Sequence, residues 1–100
     1  MTEVAKLDDI PVGEGRAYPV GGEQVAVFRL RDGSVRALAA VCPHAGGPLA
    51  DGLLDDSVVV CPLHARTYDL RTGAEVTSDG PPVCTYPVRV GPDGVVRLEG

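Results

Sequence analysis

Cys42-Pro43-His44 and Cys61-Pro62-Leu63-His64 carry the reading of this chain, with sixteen residues between His44 and Cys61. Each stretch sets one thiol and one imidazole beside a proline, in a segment that reads as a loop tip. Two sulfur and two nitrogen ligands suit zinc or an iron–sulfur cluster of mixed ligation. The order of the ligands favours iron. Zinc fingers and ribbons usually pair Cys with Cys in one half, and His with His or a second Cys pair in the other. Here both halves alternate, Cys-x-His and then Cys-x-x-His. Structural zinc is one competing reading. The other is an unrelated set of buried Cys and surface His.

Outward from these pairs the chain reads as short strands separated by tight turns. On the N-terminal side, Val4 to Leu7 alternates weakly and reads as a first, edge strand. Asp8-Asp9-Ile10-Pro11 with Gly13 and Gly15 reads as a turn; without a strand–Gly-loop–helix context, Gly13-Glu14-Gly15 is not a nucleotide loop. Arg16 to Val20 and Gln24 to Leu30 flank Gly21-Gly22 as a hairpin, and Asp32-Gly33 turns the chain into Val35 to Val41, which delivers Cys42. Between the pairs, Asp51-Gly52-Leu53-Leu54 and Ser57 to Val60 bracket Asp55-Asp56 as a short hairpin. Val58-Val59-Val60 is a continuous β-branched run, expected of a strand buried on both faces. After the second pair, Thr67 to Leu70 and Ala74 to Val76 flank Arg71-Thr72-Gly73. The double proline Pro81-Pro82 excludes helix from the next loop. Thr85 to Val90 and Val95 to Leu98 close the chain as a hairpin. No segment has helical periodicity, so the expected fold is all-β, a sandwich or small barrel. Cys84, beside Thr85 and Tyr86, is expected as a small core residue.

Composition agrees with one modest domain over residues 1–100. Apolar residues make up 44% of the chain, yet Phe28 and three Tyr are its only aromatics, so the core should be aliphatic. Thirteen Gly and nine Pro fit many turns. A net charge of −5 without a basic run argues against nucleic acid. It fits either a protein that docks on a more basic partner or plain solubility. Met1 to Asp9 has no apolar stretch of a secretory signal, and no apolar run reaches the roughly 20 residues a membrane span needs. Three cysteines, two of them committed to metal, do not make a disulfide framework. The expected setting is cytoplasmic, with no membrane partner.

The two loops resemble those of the Rieske [2Fe-2S] family. The similarity rests on Cys42-Pro43-His44-Ala45-Gly46-Gly47-Pro48-Leu49 and on Cys61-Pro62-Leu63-His64-Ala65-Arg66-Thr67-Tyr68-Asp69 with Thr72-Gly73. It implies stacked antiparallel sheets, a base domain carrying an inserted cluster-binding subdomain from about residue 42 to 68. It also implies that Cys42 and Cys61 hold the inner iron of a [2Fe-2S] cluster, and His44 and His64 the outer one. Two neutral imidazoles in place of thiolates raise the potential above that of plant-type ferredoxins, and their free ring nitrogens couple proton to electron transfer. Gly46, Gly47 and Pro48 would shape the first loop around the cluster, and Tyr68 would donate to a cysteine sulfur or simply pack in the core. Gly47 and Leu63 stand where some relatives of high potential have a loop-to-loop disulfide. Arg66 stands where those relatives have a serine donor, and Ala65 where many have glycine. A ferredoxin-like, lower potential is the implication.

No Ser-His-Asp set, carboxylate pair or phosphate loop is present, so the chain reads as an electron-transfer component rather than a catalyst by itself. The loops and the tail Thr85-Tyr86-Pro87-Val88-Arg89-Val90 resemble most the small subunit of assimilatory NAD(P)H nitrite reductases, which works with a large flavin- and sirohaem-containing subunit. The alternative is a free Rieske ferredoxin between a flavoprotein reductase and a ring-hydroxylating or other Rieske oxygenase. A redox-sensing or structural module has no supporting feature beyond the cluster. The expected docking face comprises His44, His64, Gly46, Gly47 and Pro48, with Leu63 beside them.

Overall fold

Four consecutive residues, Val25, Ala26, Val27 and Phe28, are all buried within one strand. Side chains alternate across a strand, so that strand must be covered on both faces, and the layering of the molecule follows. The computed structural model describes residues 2–41, 49–55, 57–61, 66–77 and 80–98. Its strands are β1 (Thr2–Lys6), β2 (Glu14–Val20), β3 (Glu23–Arg29), β4 (Val35–Ala39), β5 (Leu53–Asp55), β6 (Val58–Val60), β7 (Thr67–Asp69), β8 (Thr85–Tyr86), β9 (Val88–Val90) and β10 (Val95–Leu98). They form three antiparallel sheets in the orders β1-β10-β9, β2-β3-β4-β8 and β5-β6-β7. The only helical pieces among the described residues are two 3-10 turns, Leu7–Asp9 and Leu49–Asp51. The fold is all-β, with stacked antiparallel sheets.

The β2-β3-β4-β8 sheet lies in the middle. On one face Val25, Val27 and Ala37 pack with Ile10, Val96 and Leu98. On the other face Ala26, Phe28 and Leu38 pack with Val59, Tyr68 and Leu70 of the β5-β6-β7 region, together with Leu49, Ala50 and Val83. The β2–β3 hairpin turns at Gly21 and Gly22, with φ of 57° and 85°. Positive φ at both central residues is the type I′ condition, which matches strand twist and which glycine meets without strain.

Several details depart from the sequence expectation. Double-sided burial belongs to β3, whereas β6 buries only Val59 fully, because its sheet covers the core from one side. The expected strand from Thr85 to Val90 is split at Pro87. Proline has no N–H for a ladder, and the chain changes sheets there: β8 pairs with β4, and β9 with β10. Ala74 to Val76 contributes one bridge, Tyr68↔Glu75, rather than a strand. Cys84 is exposed, since alternation sends it outward when Val83 points into the core. Beside it, Gly73 has φ 78°, and a Cβ there would collide with the Val83 carbonyl.

One charged group sits inside this region. The Glu75 side chain is fully buried, accepting from Arg66 Nη1 at 2.6 Å and from Thr77 Oγ1 at 2.7 Å. Gly80 lies against the pair, close enough that a Cβ would meet Glu75 Oε1. Removing one partner of a buried ion pair strands the other charge, at about 3–5 kcal/mol for full burial. The Arg66 side chain is 26% exposed. Arg66→Met is therefore expected to cost somewhat less, about 2–3 kcal/mol, lowering the melting temperature by roughly 10–20 °C. Thermal denaturation at matched cluster loading checks this; an unchanged midpoint would refute it.

On the surface, Asp93 accepts from Arg97 Nη2 at 2.9 Å and from the Val95 N–H at 3.1 Å. These bonds, Arg97 first, hold its carboxyl below the ordinary 3.8. A carboxyl whose folded value is depressed adds stability above its unfolded value and loses it as pH falls through the folded one. Asp93→Asn should therefore flatten the decline of stability below about pH 4 and leave its pH dependence near neutrality unchanged. Urea titrations across that range read it out.

Candidate metal centre

The roots of the two loops share one core. The first loop leaves β4 through Ala40 and returns at Leu49, and the Leu49 N–H donates to the Ala40 carbonyl at 2.8 Å. The second leaves β6 at Cys61 and returns at Arg66, and the Cys61 N–H donates to the Arg66 carbonyl at 2.7 Å. Ala40, Leu49, Cys61 and Tyr68 all belong to the same buried cluster. Each loop is thus pinched shut by a main-chain hydrogen bond, and both pinches rest on the same apolar floor. Such bonds hold a short connection without using its side chains, which stay free for ligation.

Cys61 is the sequence-expected ligand among the described residues. It lies at the end of β6, 1% exposed, and is not in a disulfide. Tyr68 is fully buried on β7, opposite Val59 of the neighbouring strand. Cys42, His44, Gly46, Gly47, Pro48 and His64 lie outside the described residues, as do Leu63 and Ala65. Cys84 is remote from this chemistry in kind: exposed, its carbonyl accepts the Ala39 N–H at 2.9 Å as part of the β4 edge.

The donor chemistry fits a [2Fe-2S] cluster of mixed ligation. A buried thiol on an apolar floor suits a thiolate held by the inner iron, where the metal supplies the positive charge that burial otherwise denies. The imidazole of the second loop falls in a four-residue segment, 62–65, closed by the bond from Cys61 to Arg66. Such a loop has room for one further ligand. The two pairs give the Cys₂His₂ set that Rieske centres use, with the two metals told apart by ligand type.

Sequence reasoning missed Glu75 and its bond to Arg66. Glu75 stands three residues beyond the turn at Thr72 and opposite Tyr68, so a register for the 67–70 and 74–76 segments would have placed it at the loop's exit. An acidic residue between Ala74 and Val76, within reach of Arg66, was the available signal.

The rim around the loops is apolar and open. Val41, next to Cys42 in sequence, is 54% exposed, and Leu53, paired with Val60 beside Cys61, is 76% exposed. No helix among the described residues is long and apolar enough to cross a membrane.

Comparison with known proteins agrees with the site. The chain is 34% identical over 92 residues to the ferredoxin component of the naphthalene 1,2-dioxygenase/salicylate 5-hydroxylase systems of a Ralstonia species, covering 88% of this chain and 85% of the relative. The ferredoxin of carbazole 1,9a-dioxygenase from Nocardioides aromaticivorans superposes with a TM-score of 0.86 at 35% identity, covering 97% and 94% of the two chains. A small subunit assigned to an NADH-dependent nitrite reductase of Mycobacterium tuberculosis superposes with a TM-score of 0.90 at 31% identity, covering 97% and 91%. The Rieske-like [2Fe-2S] domain matches residues 1–99. The chain belongs to this family, an electron-transfer protein whose cofactor is a Rieske [2Fe-2S] cluster.

Proposed function

We propose that this protein delivers single electrons to the large flavin- and sirohaem-containing subunit of an NAD(P)H-dependent nitrite reductase. The observation that carries this reading is the TM-score of 0.90 to a chain of that assignment over nearly the whole length of both. A second reading has its own support. Identities of 34–36% to ferredoxin components of aromatic dioxygenase systems favour a shuttle between a flavoprotein reductase and an oxygenase. Reconstitution separates them. Nitrite reduction by the large subunit should rise several-fold on adding this protein; stimulation of an oxygenase alone overturns the first reading.

In both readings Cys42 and Cys61 hold the inner iron, and His44 and His64 the outer one. The cluster, when bound, accepts and releases one electron. Burial of Cys61 keeps water from the thiolate side, while Val41 and Leu53, near the loop roots, are open to solvent. That rim is the docking face. An apolar surface beside the cluster excludes water from the electron path and leaves partner choice to surrounding charge. Leu53→Gln should slow electron transfer to the partner roughly tenfold or more by disrupting this contact, with no change in reduction potential. Stopped-flow transfer rates and a redox titration together test it.

Cys84 is an exposed thiol outside any disulfide, which supports a reducing, cytoplasmic setting. We infer that Tyr68, buried in the core that also holds Cys61, donates to a cysteine sulfur and so stabilises the reduced, more negative cluster. Tyr68→Phe should therefore lower the potential; an equal potential removes the hydroxyl from the account.

Metal ligation contributes to folding free energy where ligands from separate loops must come together. Chelation of the iron should lower the melting temperature, and apo and holo curves that coincide would contradict this ligand assignment. Low-temperature EPR of the dithionite-reduced protein, with iron and acid-labile sulfide assays, tests the cluster itself.

A further inference from the structure

Arg66 follows His64 by two residues, so their Cα atoms lie within about 7 Å of one another. Its main chain and its side chain are both held. The Arg66 carbonyl accepts from the Cys61 N–H at 2.7 Å, and its guanidinium donates to Glu75 Oε1 at 2.6 Å. Glu75 Oε2 accepts from the Thr77 hydroxyl at 2.7 Å, and Thr77 Oγ1 in turn accepts from the Thr67 N–H at 3.3 Å. Thr67 is the residue after Arg66, so Arg66, Glu75, Thr77 and Thr67 close a ring. The Val76 N–H, donating to the Thr67 carbonyl at 2.8 Å, braces it from the main chain. This ring stands at the exit of the second metal loop. Its carboxylate is fully buried, while the Arg66 side chain keeps 26% exposure.

A buried ion pair adds little net stability over an apolar replacement, so stability does not explain its place beside a ligand loop. Charge supplies a reason. A Cys₂His₂ [2Fe-2S] centre gains one negative charge with the electron it accepts, and a guanidinium two residues from a ligand favours that state. Partly buried charges are screened little by salt. Glu75 sets the opposite charge on the same guanidinium. We propose that Glu75 is a positioning residue for the cluster: through Arg66 it fixes the exit of the second loop and offsets a cation that otherwise raises the reduction potential. The proposal rests on Cys61 and His64 being ligands and is independent of which partner takes the electron. Removing the carboxylate alone leaves Arg66 uncompensated and makes an electron easier to add. Removing both charges cancels that effect. Cutting the ring at Thr77 leaves both charges in place and loosens only the loop exit.

The test is a redox titration of the cluster-loaded full chain, with EPR of the reduced state and the rate of iron loss to a chelator. Glu75→Gln should titrate at a higher potential than wild type, and the Arg66→Gln, Glu75→Gln double variant should return most of the way. Thr77→Val should keep the wild-type potential and lose iron several-fold faster, and Thr77→Ser, which retains the hydroxyl, should restore the wild-type rate. A purely structural pair lowers the melting temperature of Glu75→Gln and leaves its potential unmoved, which overturns the proposal. So does a double variant that titrates as high as the single one, or iron loss from Thr77→Val no faster than from wild type. If Glu75→Gln fails to load a cluster, the two Thr77 variants, which keep the ion pair, decide the matter. A wild-type protein without a mixed-ligand EPR signal refutes the ligand assignment and the proposal with it, a failure distinct from unmoved potentials in loaded variants.

Discussion

The double-sided burial of β3 is the constraint on which the rest of the molecule depends. Val25 and Val27 face the sheet that carries β10, while Ala26 and Phe28 face the core beneath the metal loops. A strand in that position leaves no apolar side chain to solvent, so both outer sheets have to pack, one on each face. A large-to-small change in such a strand opens a cavity in one core or the other, according to the face its side chain takes. The metal region is therefore not an independent appendage. Phe28 and Leu38 of the middle sheet touch the same cluster of side chains as Cys61 and Tyr68, so the position of the ligand floor is set by the packing of the base.

On that floor the two loops are organised by main chain rather than by side-chain bulk. Hydrogen bonds from Leu49 to Ala40 and from Cys61 to Arg66 close them. The Arg66–Glu75 pair then ties the exit of the second loop to the segment beyond the Arg71-Thr72-Gly73 turn. A buried pair is weak evidence of net stability, since its Coulomb attraction offsets a large desolvation cost. Its geometric effect is firmer. Arg66 has to stay where it can reach a carboxylate that is itself held by Thr77 and enclosed against Gly80. Relatives with a serine at this position place a neutral donor near the cluster. Here a cation pairs with Glu75 instead.

Much of this was legible in the chain because the signals were local. The Cys-Pro-His and Cys-Pro-Leu-His spacings identify the ligand chemistry, and Gly21-Gly22 and Asp32-Gly33 mark their turns by the backbone conformations that glycine allows. What escaped depended on distant partners. Val58-Val59-Val60 and Val25-Ala26-Val27-Phe28 are similar apolar runs, and only the stacking of the sheets gives β3 a core on each face and β6 a core on one. Cys84 reads as apolar by composition, but its orientation follows from Val83, whose N–H donates to Gly73 and whose side chain enters the core. Glu75 looks like one more surface acid until Arg66 is brought beside it.

Charge in this protein is divided by position, and that division bears on how it works. An overall charge of −5 repels other acidic surfaces at long range, yet the rim next to the loops is apolar, with Val41 and Leu53 exposed. A partner approaching that rim meets Leu53 beside Arg16, Arg31, Glu14 and Asp51, so contact there joins apolar surface to charges of both signs. Such a face suits repeated, reversible encounters, because apolar contact of limited area gives modest affinity without the slow release of buried ion pairs. Basic charge placed beside the metal loops would raise the cluster potential and narrow the choice of partner.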